Sequence, residues 1–134
     1  MAPSAPEAGR GSIDSMNITR QITVFDTADL AAESTFWAGM LGGTVEAEDD
    51  WHTVYVDGSP RLGFQLAPDH VQPDWPDGQP QQLHLDLYVD DIASAHEEAM
   101  ALGARLLRTA DVADAEGFRV YADPSGHPFC LCWG

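Results

Sequence analysis

The structural signals in this chain run through one cycle twice. A β-rich run at Ile18–Phe25 is followed by a helical pattern in which Leu30, Ser34, Trp37 and Leu41 recur along an Ala-rich stretch, with Asp29 placed as its cap. Leu41-Gly42 ends that helix. After a second strand signal at Gln82–Val89, Leu102-Gly103 ends a second helix read over Asp91–Leu102. Three short strand signals follow each Leu-Gly pair: Thr44–Ala47, Trp51–Val56 and Arg61–Ala67, then Arg105–Thr109, Phe118–Ala122 and Pro128–Trp133. Asp49-Asp50 and Asp57-Gly58 mark turns in the first set. Neither βαβββ copy is large enough to bury a face of its own sheet, so the two must pair. The expected fold is α+β, with two βαβββ modules forming a curved, cup-like mixed sheet and the helices outside. Module one spans 17–67, a proline-rich linker 68–81, and module two 82–134; residues 1–16, small and polar with no apolar period, read as a disordered leader.

Charge narrows the function. Asp and Glu number 22 against 6 Lys and Arg, all six of them Arg, for a net charge of −16. No basic stripe exists to displace counterions from a phosphate backbone or to meet anionic lipid, so nucleic-acid and membrane partners are excluded as expectations. A field of this sign concentrates cations, which favours a cationic ligand on approach. No apolar run approaches the ~20 residues of a membrane helix. The two cysteines, Cys130 and Cys132, cannot staple distant segments, and with no export signal the expected location is cytoplasmic.

The residues around the repeat carry a resemblance. FWAGMLGG closing the first helix, HLDLYVDDI at 84–92 and YADPSGHPFCLCW at 121–133 resemble the vicinal oxygen chelate superfamily, which includes glyoxalase I, bleomycin-resistance proteins and extradiol dioxygenases. The nearest look is to its glyoxalase-like branch, over roughly residues 18–133. Metal-dependent members of that superfamily place four ligands inside the curved sheet, from the first, fourth, fifth and eighth strands. The resemblance puts these positions at His84, Gln65 and Cys130, with Gln21 or Ile22 as the first.

Strand alternation offers a separate reading of the same positions, because side chains of one parity share a face. Leu83, Leu85, Leu87 and Val89 oppose His84, Asp86 and Tyr88. Phe129, Leu131 and Trp133 oppose Cys130 and Cys132, and Leu62, Phe64 and Leu66 oppose Gly63 and Gln65. In the first strand, taking Ile18, Ile22 and Val24 as the core set turns Gln21 and Thr23 inward, which favours Gln21 over Ile22. Compared with the family pattern the set Gln21, Gln65, His84, Cys130 lacks carboxylates. One imidazole and one thiol are the only strong donors unless Asp86 joins them, so no metal cofactor is expected.

Aromatic residues add to the pocket. Trp51 and Tyr55 share a face of the third strand, Tyr88 faces inward from the fifth, and Trp75 lies in the linker that would pass near a cavity mouth. The expected ligand-binding set is therefore Gln21, Trp51, Tyr55, Gln65, His84, Asp86, Tyr88 and Cys130. Cys130 and Cys132 read more readily as small apolar filler than as nucleophiles. His52, His70, His96 and His127 read as solvated, His127 with a role in the DPSG turn. The leading expectation is a metal-independent small-molecule binding protein of the glyoxalase/bleomycin-resistance type. It would sequester an aromatic or cationic ligand in the sheet cavity and act as a homodimer. The alternative is a metal-dependent lyase, isomerase or dioxygenase acting on vicinal oxygens; a dimeric module with a vestigial pocket is the third.

Overall fold

A computed structural model describes residues 16–78, 83–109 and 115–134. The leader expected at 1–16 lies outside these residues except for Met16, which is exposed. The first module comprises β1 (Thr23–Thr27), α1 (Leu30–Leu41), β2 (Thr44–Ala47), β3 (Trp51–Val56) and β4 (Ser59–Leu66). The second repeats it with β5 (Leu85–Tyr88), α2 (Ile92–Leu102), β6 (Arg105–Arg108), β7 (Gly117–Ala122) and β8 (Pro128–Trp133). Each module is a four-stranded mixed sheet, in orders β1-β4-β3-β2 and β5-β8-β7-β6. In both, the first strand pairs in parallel with the last and the other pairings are antiparallel.

The local causes repeat as well. Asp29 accepts the Ala32 N–H at 3.0 Å and Asp91 accepts the Ser94 N–H at 3.2 Å, so each helix starts on an aspartate cap. The glycines of the two Leu-Gly pairs, Gly42 at φ 69° and Gly103 at φ 113°, take the left-handed conformation that ends each helix. Asp57 and Gly58, at φ 53° and 80°, make the tight turn from β3 to β4.

One core serves both modules. Phe25, Val54, Val56, Leu62 and Phe64 of the first sheet join Tyr121, Phe129 and Leu131 of the second around Phe36, Trp37 and Ala99 of the helices. Trp37 is fully buried, its ring edge-on to Phe25 at 5.5 Å and to Phe129 at 5.1 Å. α1 packs on β3 and β4, α2 on β8, and the helices touch each other. Among the described residues no helix covers the face of either sheet turned away from this core, though Trp75 packs against Val120, Cys130 and Cys132 on the second.

The first strand requires a correction. It begins at Thr23, and its core face is Phe25 and Thr27, while Val24 is 43% exposed. The alternation that favoured Gln21 therefore runs the other way, and Ile22 has the parity of the open face. The run ITVFDT carries apolar residues on both parities, so the pattern was ambiguous. Phe25, packed between Trp37 and Phe64, and Thr27, bonded to Ser125 at 2.7 Å, decide it.

Candidate functional site

The open face of the second sheet forms the floor of a pocket of about 670 Å³. Asp86 and Tyr88 rise from β5, Phe118 and Val120 from β7, and Cys130 and Cys132 from β8, because residues two apart on a strand share a face. His84 stands just ahead of β5. Trp75, from the segment between the modules, closes one side with its ring against Arg108, whose guanidinium lies 4.9 Å from the ring centre. Glu116, Gly117, Trp133 and Gly134 border the other side. The walls are aromatic, and the charged groups among them are Asp86 and Glu116, with no Arg among the described lining residues. Tyr88 and Phe118 are 74% and 49% exposed, a large apolar surface for one chain to leave open.

Three polar groups converge on the floor. His84 Nε2 lies 3.2 Å from Asp86 Oδ1. The Cys130 Sγ lies within 4.8 Å of both the His84 ring nitrogen and the Asp86 carboxylate, so Asp86 stands beside an imidazole and a thiol. Burial, then the charge of Asp86, pushes the Cys130 thiol up to about 12. Cys132 is raised by the same two causes in the same order. Both cysteines are free and buried, and both are held as thiols.

The remaining expected residues lie elsewhere. Trp51 and Tyr55 of β3 and Gln65 of β4 share the open face of the first sheet, and Gln21 is exposed ahead of β1. None of the four lines the pocket. Trp51 lies flat across Gly63, where a Cβ would come within 2.5 Å of its ring, and its indole N–H donates to Thr53 at 3.0 Å. Tyr55 donates to Glu46 at 3.3 Å. The expected set is thus split: Trp51, Tyr55 and Gln65 on the open face of module one, His84, Asp86, Tyr88 and Cys130 on that of module two, and Gln21 on neither.

Within one chain, the four positions implied for a metal do not fit one, because Gln65 sits on a different sheet from His84 and Cys130 and Gln21 lies ahead of β1. A different trio does converge: His84, Asp86 and Cys130 each bring a ligand atom within 4.8 Å of the other two. Nitrogen, oxygen and sulfur donors in that number suit a borderline divalent ion with an open position.

The four histidines read as solvated are hydrogen-bonded instead. His52 pairs with Ser34 at 2.8 Å, His96 with the Tyr121 hydroxyl at 2.8 Å, His70 with the Ser125 carbonyl at 3.0 Å and His127 with the Asp26 carbonyl at 2.7 Å. Each partner is distant in sequence, so no local pattern signals it. Sequence reasoning also missed Glu116, which follows a stretch without a period. It missed Trp133 as well, whose ring lies over Gly117 at the pocket border.

Comparison with known proteins agrees with this architecture. The family model of the glyoxalase-like domain matches residues 22–132. No curated protein matches the chain. Among solved structures, a glyoxalase/bleomycin resistance protein/dioxygenase family enzyme from Burkholderia phytofirmans aligns with TM-score 0.63 at 18% identity, over 84% of this chain and 95% of that one. The fosfomycin resistance protein FosX from Mesorhizobium loti aligns with TM-score 0.65 at 13% identity, over 89% and 94%. A glyoxalase-related enzyme from Fulvimarina pelagi aligns with TM-score 0.59 at 21% identity, over 86% and 88%. At these identities the likeness is one of fold.

Proposed function

The chain belongs to the glyoxalase-like domain family, and from that premise we propose that it is a metal-independent small-molecule binding protein that sequesters a cationic, aromatic ligand. The observation that carries this reading is the makeup of the pocket. Tyr88, Phe118 and Trp133 offer ring faces beside Trp75, whose ring already carries Arg108, and Asp86 and Glu116 supply negative charge, with His84 the basic side chain among the described lining residues. Ring faces and carboxylates both attract a cation borne on a flat apolar body, and the net charge of −16 steers it inward. Asp86, steadied by His84 and Cys130, is the anchor for the ligand's positive group.

The working unit in this proposal is a homodimer. Among the described residues nothing covers the open face of module one, with Trp51, Tyr55 and Gln65, or roofs the pocket of module two. A second copy placing one over the other would unite the two halves of the expected set and shield Tyr88 and Phe118. The experiment is native mass spectrometry of the full chain with matched cationic, neutral and anionic aromatic compounds. Preferential uptake of the cationic members, weakened at least tenfold by Asp86→Asn, is the expected result. Preference for the anionic members would overturn the reading.

A second reading is kept alive by the convergence of His84, Asp86 and Cys130. A divalent ion held there would act as a Lewis acid on vicinal oxygens, in a lyase, isomerase or dioxygenase. Elemental analysis of purified protein separates the two: one tightly held ion per chain, lost in Cys130→Ala, would replace the first reading with the second.

A further inference from the structure

The seam between the modules holds a carboxyl group that the pocket does not use. Glu33 of α1 is fully buried, and its neighbours there come from the turn between β7 and β8. Its Oε1 accepts the Ser125 N–H at 3.1 Å, while Oε2 is buried without a hydrogen-bond partner. Asp123 stands beside it, 3% exposed, and His127 Nε2 lies 3.9 Å from Oε2. From the linker, the His70 ring lies against that of His127, centres 5.0 Å apart and tilted by 41°. From β1, the Asp26 carbonyl takes the His127 Nε2–H. Among the described residues no Arg pairs with this group, and the chain contains no Lys.

What can occupy such a place follows from the lone pairs. Asp123 already accepts three N–H donors, from Trp37 at 2.9 Å, Ser125 at 3.0 Å and His127 at 2.8 Å. His127 Nε2 is spent on Asp26. Glu33, Asp123 and His127 bring ligand atoms within 4.8 Å of one another, but Asp123 and His127 Nε2 are already hydrogen-bonded and Glu33 Oε2 alone of these groups has no partner, which suits a single proton better than a metal ion. With the Glu33 and Asp123 carboxylates within 4.8 Å of each other, a proton on Glu33 would give the orphaned Oε2 a donor to share and remove one of two adjacent negative charges from a dry site.

The same turn carries the linker. Ser125 receives His70 through its carbonyl, and Gly126 packs against Gln72 so closely that a Cβ would lie 2.8 Å from the Gln72 Cβ. Three residues further on is Trp75, the wall of the pocket. We propose that the Glu33–Asp123 pair is a proton-held latch: while Glu33 keeps its proton the turn stays docked on α1, and the docked turn fixes the linker that positions Trp75. Loss of the proton sets two carboxylates against each other, undocks the turn and loosens the pocket. Burial first, and Asp123 second, raise the Glu33 carboxyl well above the carboxylate range, which keeps the latch closed at neutrality and opens it in alkali.

The link to ligand binding rests on the function proposed above, and the latch itself does not, so the test has two arms. In the first, carboxyl carbon NMR of the full chain labelled at glutamate follows each titration while hydrogen exchange, corrected for intrinsic rates, follows the segments 68–78 and 123–127. The expected result is one glutamate titrating above neutrality and missing in Glu33→Gln. Exchange in both segments should quicken at least tenfold across that titration in the wild type and stay flat in Glu33→Gln. A Glu33 that titrates in the ordinary range, or exchange with the same pH dependence in both proteins, overturns the latch. In the second arm, affinity for the cationic dye thioflavin T should fall about fivefold across the same interval in the wild type only. A dye that does not bind while exchange follows Glu33 counts against the ligand class and leaves the latch supported. Should Glu33→Gln fail to fold, Glu33→Leu in the same exchange assay replaces it, since it too has no proton to lose.

Discussion

The pocket thiol gives the sharpest quantitative expectation. Cys130 is 8% exposed, and burial with Asp86 beside it pushes its thiol up to about 12. At about pH 8 a free cysteine with an ordinary pKa of ~8.5 is roughly one quarter thiolate, whereas Cys130 is about one part in ten thousand, a ~2,000-fold deficit. A more basic thiolate is intrinsically more nucleophilic, and a Brønsted slope of ~0.45 over ~3.5 units returns a factor of ~40. The balance is about a 50-fold slower reaction with an aromatic disulfide reagent than the same cysteine shows in urea, and restricted access lowers it further. The assay is stopped-flow labelling of native and unfolded chain in a Cys132→Ser background, with mass mapping of the modified residue. Asp86→Asn should speed native labelling several-fold without reaching the unfolded rate, because desolvation is the larger cause and stays in place. Native labelling within a few-fold of the unfolded rate, with a midpoint near the free-cysteine pKa, would refute the reasoning and make Cys130 a candidate nucleophile.

Stability should fall with rising pH through Glu33, since its carboxyl is raised on folding and the folded chain holds a proton that the unfolded chain releases above about pH 4.3. The loss accrues at ~1.4 kcal/mol per pH unit, up to ~3–4 kcal/mol at neutrality, so Glu33→Gln should raise the urea midpoint at pH 7 and flatten its pH dependence; parallel curves for the two proteins would count against a protonated Glu33. Gly63→Ala should cost about 1–3 kcal/mol, because the added carbon meets the Trp51 ring at 2.5 Å and the ring must leave its bond to Thr53. A shift in Trp51 emission in a background with the other tryptophans replaced reports the movement, and an unchanged spectrum would contradict it. The pair Gln65→Glu and Cys130→Glu places carboxylates on two different open faces, so stabilisation by added Zn²⁺ should grow with protein concentration, and a concentration-independent rescue would mean that the two faces meet within one chain.

Much of the fold was legible because its determinants are local. The two Leu-Gly helix ends, the aspartate caps and the Asp57-Gly58 turn each act within a few residues, and the helices begin and end where they point. The face of β1 was not legible, because Ile22 and Val24 compete with Phe25 and the outcome depends on Trp37 and Phe64 across the core. His84 and Cys130 came from the family resemblance, and alternation on strands with one clearly apolar parity put them on one face with Asp86 and Tyr88, the face that the structure turns to the pocket. Trp51, Tyr55 and Gln65 were assigned to an open face correctly by the same logic, but parity says nothing about which sheet that face meets. Glu33 did carry a signal: it lies three residues after Leu30 and four before Trp37, on the buried stripe of α1. Its partner Asp123 is ninety positions away, and no pattern in either segment points to the other.

The split of the site follows from how the core is shared. Phe36 and Trp37 of α1 reach Phe129 of β8, so the aromatic mass that might have roofed each sheet is gathered between the modules. Both helices are then committed to one side of their own sheet, and among the described residues neither open face has a helix over it. Among large apolar side chains those faces retain Val24, Tyr88 and Phe118, which are 43%, 74% and 49% exposed. Covering them with a second copy would bring Trp51 and Gln65 over the Asp86 pocket and remove the aromatic exposure. The same arrangement would place the Glu33–Asp123 latch behind the pocket floor, inside the shared core, where its proton is shielded from a ligand and its state is passed on only through the linker bearing Trp75. A ligand and a proton would then act on one element from opposite sides, which is why the exchange rate of residues 68–78 is the quantity on which both readings converge.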